Sequence, residues 1–266
     1  MTLRLAPIID GPDLAETLVF LQGWPDDATL WAPQVAALSD RFRCVRTTLP
    51  NFDGEKTTRW GPGTAEIVDA LARMIEEVAP GRKVTMVAHD WGAYWGYRLC
   101  AQNPDRIGRF AALDIGAHVE ASAKSMIGSV SYQGWLLLAF FLGGPVGDWM
   151  TRTLAGLIGA PLDRAQIHSG MNYPYRNAWR DIGRGEAMPD SPDEWPRGPV
   201  LFVYGEDKPF PFHSDQWLEH VRRGGGTVAG LPCGHWVSED PGFQPVLETW
   251  LEETALGPAA TGTHAS

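Results

Sequence analysis

The sequence predicts an α/β fold: a mostly parallel sheet with helices on both faces and a helical segment inserted between two strands. Three observations carry this. Short β-branched or apolar runs alternate with helical patterns along most of the chain, as in a parallel sheet whose strands are joined by covering helices. That rhythm stops between about His118 and Trp195, where helical, aromatic and glycine-containing segments take over. It then resumes with two more strand–helix pairs before the chain ends.

Taken in order, the first strand is expected at Thr17–Gln22, followed by a helix at Leu30–Ser39 and a strand at Arg43–Thr48. A helix at Thr64–Val78 leads to the apolar strand Lys83–Ala88, and a helix rich in small and aromatic residues, Ala93–Gln102, leads to the strand Arg109–Asp114. After the interruption come the strand Pro199–Tyr204, the helix His213–Arg222, the strand Thr227–Leu231 and the helix Gln244–Glu253. Residues 1–117 and 196–256 are thus expected to form one sheet domain in two parts, with 118–195 as a helical cap. Pro189-Asp190-Ser191-Pro192 reads as the linker returning to the sheet, and the small polar tail 257–266 is expected to be disordered.

A chain of 266 residues suits one catalytic domain with an insertion. Its formal charge of −10 argues against nucleic acid as a partner, since phosphate binding wants a basic face. Cys44, Cys100 and Cys233 are odd in number and widely spaced, so neither a disulfide framework nor a zinc site follows, and no metal or other cofactor is expected. Met1-Thr2-Leu3-Arg4-Leu5 lacks the apolar stretch of a signal peptide. The apolar run Trp135–Leu142 ends at Gly143-Gly144-Pro145, far short of a membrane span. The expectation is a cytoplasmic protein with no membrane partner; pairing as a homodimer is left open.

Chemistry concentrates at Val87-Ala88-His89-Asp90-Trp91-Gly92. A strand running through a tight turn into a helix is the context of a nucleophile elbow, whose apex residue projects from the carboxyl edge of the sheet. Ala88, Gly92 and Gly96 supply the small neighbours such a turn needs, and the apex residue is Asp90. A carboxylate is ionised at neutral pH and needs no base to activate it. It suits displacement at a saturated carbon, giving an alkyl ester that water cleaves. The competing reading of Asp90 is a helix N-cap.

With Leu21-Gln22-Gly23-Trp24-Pro25, His89-Asp90-Trp91-Gly92 and the late Cys233-Gly234-His235-Trp236, nearly the whole chain resembles the α/β-hydrolase fold, in its branch with aspartate nucleophiles: epoxide hydrolases, haloalkane dehalogenases and fluoroacetate dehalogenases. The resemblance implies Asp90 as nucleophile and His235 as the base that activates water. It implies an oxyanion site of two backbone N–H groups, from Trp24 and Trp91, to which the change from the usual histidine to Gln22 is immaterial. For the triad acid it leaves two positions: Asp114, where fluoroacetate and some haloalkane dehalogenases place it, and Asp207, where many epoxide hydrolases do. Asp114 is favoured. His118, His168, His213 and His220 keep structural readings.

The leaving group separates the enzymes. An epoxide oxygen departs as an alkoxide and needs a proton donor, which epoxide hydrolases supply from cap tyrosines. Tyr175, in Asn172-Tyr173-Pro174-Tyr175-Arg176-Asn177, resembles the second such tyrosine, with Tyr173 as fallback. Tyr132, in Tyr132-Gln133-Gly134-Trp135, resembles the region of the first. A halide needs only N–H donors, and Trp91 with Trp135 looks like a halide cradle. Against dehalogenases stand Trp24, where haloalkane enzymes often carry Asn, and the lack of the arginine that follows the fluoroacetate nucleophile. The resemblance therefore implies an epoxide hydrolase acting on a small apolar organic substrate with water. A dehalogenase is the alternative, and a catalytically silent ligand-binding protein the third.

Overall fold

The structure is a computed structural model that describes residues 2–53, 58–120, 123–186 and 191–256. Seven strands form one sheet: β1 (Pro7–Asp10), β2 (Thr17–Leu21), β3 (Arg43–Thr47), β4 (Val84–His89), β5 (Ile107–Leu113), β6 (Val200–Gly205) and β7 (Thr227–Leu231). Their order is β1-β3-β2-β4-β5-β6-β7, and all pairings are parallel except β1 with β3.

The strands β2 and β4 are buried along their whole length, as parallel strands covered on both faces must be. Successive residues of β2 go to opposite sides. Val19 and Leu21 enter one core, and Leu18 and Phe20 the other. The first core is closed by α2 (Thr64–Val78), α3 (Trp91–Gln102) and α7 (Asp215–Arg223), through residues such as Ile67, Leu71, Trp95 and Trp217. The second is closed by α1 (Ala32–Leu38) and α8 (Phe243–Glu253), through Val35, Leu38, Leu247 and Trp250. Each helix thus turns one apolar stripe to the sheet.

Between β5 and β6 the chain forms α4 (Ala123–Leu142), α5 (Gly144–Leu157) and α6 (Tyr173–Gly183), with a short 3-10 turn at Ser169–Asn172. Gly143, at φ 61°, reverses the chain between α4 and α5, and Pro145 opens the second helix. Among the described residues no helix is long and apolar enough to cross a membrane.

Some expectations need correction. The strand β1 escaped the sequence pattern because it is a four-residue antiparallel edge with Ile8 and Ile9 exposed. The helix expected at Leu30–Ser39 is split. A 3-10 turn at Ala28–Trp31 is capped by the Asp27 side chain, and α1 begins only with Pro33 in its first turn. The helix expected from His213 starts at Asp215, because Ser214 Oγ accepts the Trp217 N–H at 3.0 Å and fixes the first turn there. Pro189, Asp190 and the tail 257–266 lie outside the described residues.

The strand order places the site. After β2 the chain moves outward to β3, and it returns through β4 on the other side of β2. The carboxyl ends of β2 and β4 therefore flank the point where the winding reverses, the crevice that open α/β sheets offer to ligands. The loop Gln22–Trp24 leaves the first of these ends, and Asp90 the second.

Candidate active site

Asp90 stands between β4 and α3 with φ 53° and ψ −122°, a strained backbone for a residue with a side chain. The turn is possible only because its neighbours are bare. A Cβ on Gly92 would lie 2.3 Å from the Leu21 carbonyl oxygen, and one on Gly23 would lie 2.5 Å from Asp90 Oδ2 and 2.6 Å from the Trp91 nitrogen. Asp90 occupies the N-cap position of α3 but makes no side-chain capping bond, which overturns the simple N-cap reading.

Its carboxylate is held from two sides. The Trp24 N–H donates to Oδ2 at 2.8 Å, and His235 Nε2 lies 3.5 Å from Oδ1. Gly23 packs close to both Oδ2 and the Trp91 backbone nitrogen, so the loop after β2 abuts the start of α3. Burial pushes the Asp90 carboxyl upward in pKa. The hydrogen bond and charge of His235, with help from His89 and the Trp24 N–H, outweigh this and hold it below the usual carboxylate value.

His235 follows β7 and receives its orientation from Asp114, whose Oδ2 is 2.5 Å from Nδ1. Asp114 sits just past β5 with φ 70° and is fully buried. Its other oxygen accepts the Gly205 N–H at 3.1 Å and the ammonium of Lys208. Burial raises the Asp114 carboxyl, but His235 and then Lys208 bring it down to about 2. Burial alone would make the His235 imidazole less basic; its bonds to Asp114 and Asp90 reverse this and lift it to about 10. The Asp90 carboxylate and the His235 imidazolium therefore form an ion pair. The His89 Nε2–H donates to the His235 carbonyl oxygen at 2.9 Å, and burial, then His235, push the His89 ring down to about 4, so it stays neutral.

A cavity of about 350 Å³ opens above Asp90. Trp24, Asp90 and His235 form its floor, and Tyr132, Tyr175, Leu154 and Phe212 are among its walls. The Tyr175 ring packs edge-on against Trp24 at 5.8 Å, Trp91 at 5.0 Å and Tyr132 at 6.0 Å between centroids. Burial raises both phenols, Tyr132 to about 12 and Tyr175 well above its ordinary value, so both keep their protons at neutral pH as hydrogen-bond donors. Two other hollows, of about 360 and 560 Å³, flank the turn from Trp195 to Gly198. Neither contains Asp90, His235 or the two tyrosines, so the chemistry selects the site rather than the size.

Of the residues singled out in the sequence, the structure brings together Asp90, His235, Asp114, Trp24, Trp91, Tyr132 and Tyr175. It leaves three apart. Asp207 is exposed at the cavity rim and engages Cys233 O through its backbone N–H at 2.9 Å, while His235 is bonded to Asp114. Trp135 is 39% exposed, with its indole N–H donated to Met150 O at 3.0 Å, so it ties α4 to α5 and does not line the cavity. Tyr173 is fully buried against Phe52 and Gly61, on the far side of α6 from the cavity.

Two residues gained no role from the sequence. Asn172 Oδ1 accepts the Trp24 indole N–H at 2.8 Å, while its amide nitrogen donates to Leu136 O and Thr151 Oγ1, clamping the floor of the cavity to the inserted helices. Lys208 is the other. Its signal was a lysine three residues past a strand end, beside Pro209, Phe210 and Phe212.

Residues 18–244 match the family model described as "Alpha/beta hydrolase family". The chain belongs to the α/β hydrolase family. It is similar to a cis-3-alkyl-4-alkyloxetan-2-one decarboxylase of Xanthomonas campestris, 25% identical over 54% of this chain, and it spans about half (48%) of that relative's length. It is similar to a haloalkane dehalogenase of Mycolicibacterium paratuberculosis, 23% identical over 90% of this hydrolase and 84% of that protein. Among solved structures it superposes on a mutant of an epoxide hydrolase from Bacillus megaterium with a TM-score of 0.72, at 21% identity over 93% of this chain and 96% of that one. At that identity the superposition speaks for the fold.

The arrangement tests its own triad. If His235 acts as a base, the residue that orients it must also balance the imidazolium it becomes, so loss of that residue should slow turnover by orders of magnitude. Asp114→Asn should cost turnover about 10²-fold or more, and Asp207→Asn less than about threefold, in steady-state kinetics on one substrate. The reverse order would move the acid to Asp207.

Proposed function

We propose that this α/β hydrolase is an epoxide hydrolase acting on apolar epoxides. The observation that carries the reading is the pair Tyr132 and Tyr175, two protonated phenols facing the cavity above Asp90. In this reading Asp90 Oδ1 attacks one ring carbon while the tyrosines hydrogen-bond the ring oxygen, so the C–O bond breaks without releasing a bare alkoxide. The product is an alkyl ester whose carbonyl oxygen, Oδ2, lies against the Trp24 N–H, with the Trp91 amide of the elbow as the second donor in this reading.

The second half uses the triad. The opened ring oxygen takes its proton from a tyrosine; once esterification has removed the Asp90 charge, the His235 imidazolium re-protonates that phenolate, and the neutral imidazole becomes a base. Water, its proton passing to Nε2, adds to the ester carbonyl carbon. The oxyanion collapses, the bond to Oδ1 breaks and the diol leaves with that oxygen, while the oxygen from water stays on Asp90. Protons return from His235, and charge balances over the cycle.

A haloalkane substrate would need N–H donors for the halide. Of the two indoles the sequence suggested for that, Trp135 spends its N–H on Met150 O, which weighs against the dehalogenase reading. The apolar lining, with Leu154, Ile158, Phe210 and Phe212, favours a substrate without charge.

Tyr175→Phe and Tyr132→Phe, assayed with styrene oxide for the diol, test the reading. Phenylalanine keeps the ring packing and removes the donor, so each should lower kcat/KM by about 10²–10⁴. Unchanged hydrolysis in both would remove the tyrosines as donors. Bromide release from 1-bromohexane, or alkene and carbon dioxide from a dialkyl oxetan-2-one, at rates exceeding epoxide hydrolysis would replace the proposal with the chemistry named for the respective relative.

A further inference from the structure

Lys208 has no place in the two half-reactions. Its side chain is buried (6% exposed), on the loop after β6, and its ammonium bonds the Asp114 oxygen that His235 does not use. A buried lysine is costly, and burial lowers its pKa; the Asp114 carboxylate works against that. Its Nζ also lies 5.0 Å from the Phe212 ring centroid, and that ring stands 5.7 Å from His235.

The charge pattern gives the lysine a task. His235 is faced by Asp90 from the start of α3, by Asp114 from the end of β5, and by the neutral His89 ring from β4 at 4.6 Å. Behind it, Asp26, on the loop after β2, binds the Trp236 indole at 2.8 Å, and burial pushes its carboxyl up to about 7. Lys208 itself is faced by Asp114, His213 and Cys233. Among these groups Lys208 supplies the fixed positive charge. A histidine held between two carboxylates is stabilised as imidazolium, which serves the resting ion pair but opposes its work as a base.

We propose that Lys208 is a positioning residue for ester hydrolysis: its ammonium fixes the Asp114 carboxylate and offsets part of its charge, so that His235 releases its proton once Asp90 is esterified. This rests on the ester mechanism proposed above, and it deepens that mechanism by assigning the control of the base. Asp90→Ala reproduces the charge of the esterified state without any substrate. In that background Lys208→Met removes both charge and hydrogen bond, Lys208→Gln keeps a donor without charge, and Lys208→Arg keeps the charge.

The measurement is the titration midpoint of the His235 imidazole by NMR, assigned by comparison with Asp90→Ala/His235→Gln. Relative to Asp90→Ala, the midpoint should rise by about one pH unit or more with Met and with Gln, and return to near its starting value with Arg. If the Met protein does not fold, the Gln variant decides alone. An unchanged midpoint in Gln overturns the proposal, because charge would then play no part. The titration needs no epoxide, so failure of the epoxide reading would show in the diol assay and leave this result standing.

Discussion

Asp90→Ala is expected to abolish turnover, to below about 10⁻⁴ of the parent, with the fold intact. The ester cannot form without the carboxylate, and no neighbour can replace it. Asp114 is buried and already engaged by His235, Lys208 and the Gly205 N–H, and Asp207 stands at the rim. The fold should survive because Asp90 contributes no side-chain cap to α3, whose first turn is fixed by backbone bonds such as Tyr94 N–H to Asp90 O at 3.2 Å. Circular dichroism alongside the diol assay checks both halves. Substantial residual activity in a folded variant would mean that water attacks the substrate directly and that Asp90 is not the nucleophile.

His235→Gln should fail differently. Asp90 keeps the Trp24 N–H, and Tyr132 and Tyr175 still face the cavity, so alkylation should proceed. What is lost is the group that takes a proton from water, and ester cleavage should slow by about 10²–10⁴. Intact-protein mass spectrometry after addition of styrene oxide should then show an adduct equal to one substrate, stable over minutes, on a peptide containing Asp90. A variant that neither turns over nor accumulates an adduct would place His235 before alkylation instead of after it.

Much of this site was legible in the sequence, because the elbow is local. A strand, a small-residue turn and a helix within seventeen residues, 83–99, determine where Asp90 projects, and the late Gly234-His235 follows the last strand wherever the chain runs. Less legible was everything that depends on helical phase or on a partner distant in sequence. Tyr173 and Tyr175 are two residues apart, about 200° around a helix. Once α6 begins at Tyr173 only one of them can face Asp90, and the sequence does not reveal that register. Tyr132 and Trp135 both sit on α4, but the N–H of Trp135 is claimed by Met150 of α5, a contact fixed by how the two helices cross. Asp114 and Asp207 both end strands. The resemblance favoured Asp114 without deciding between them; tertiary placement seats His235, Lys208 and the Gly205 N–H on Asp114 and leaves Asp207 outward.

The central claim is that oxygen reaches the product from Asp90 and is restored from water. A single turnover in water enriched in oxygen-18, with enzyme in excess over styrene oxide, tests it most directly. The first-turnover diol should carry no label at the new hydroxyl, and the peptide that contains Asp90 should gain one oxygen-18 atom. A diol labelled in the first turnover, with an unlabelled Asp90 peptide, would contradict it.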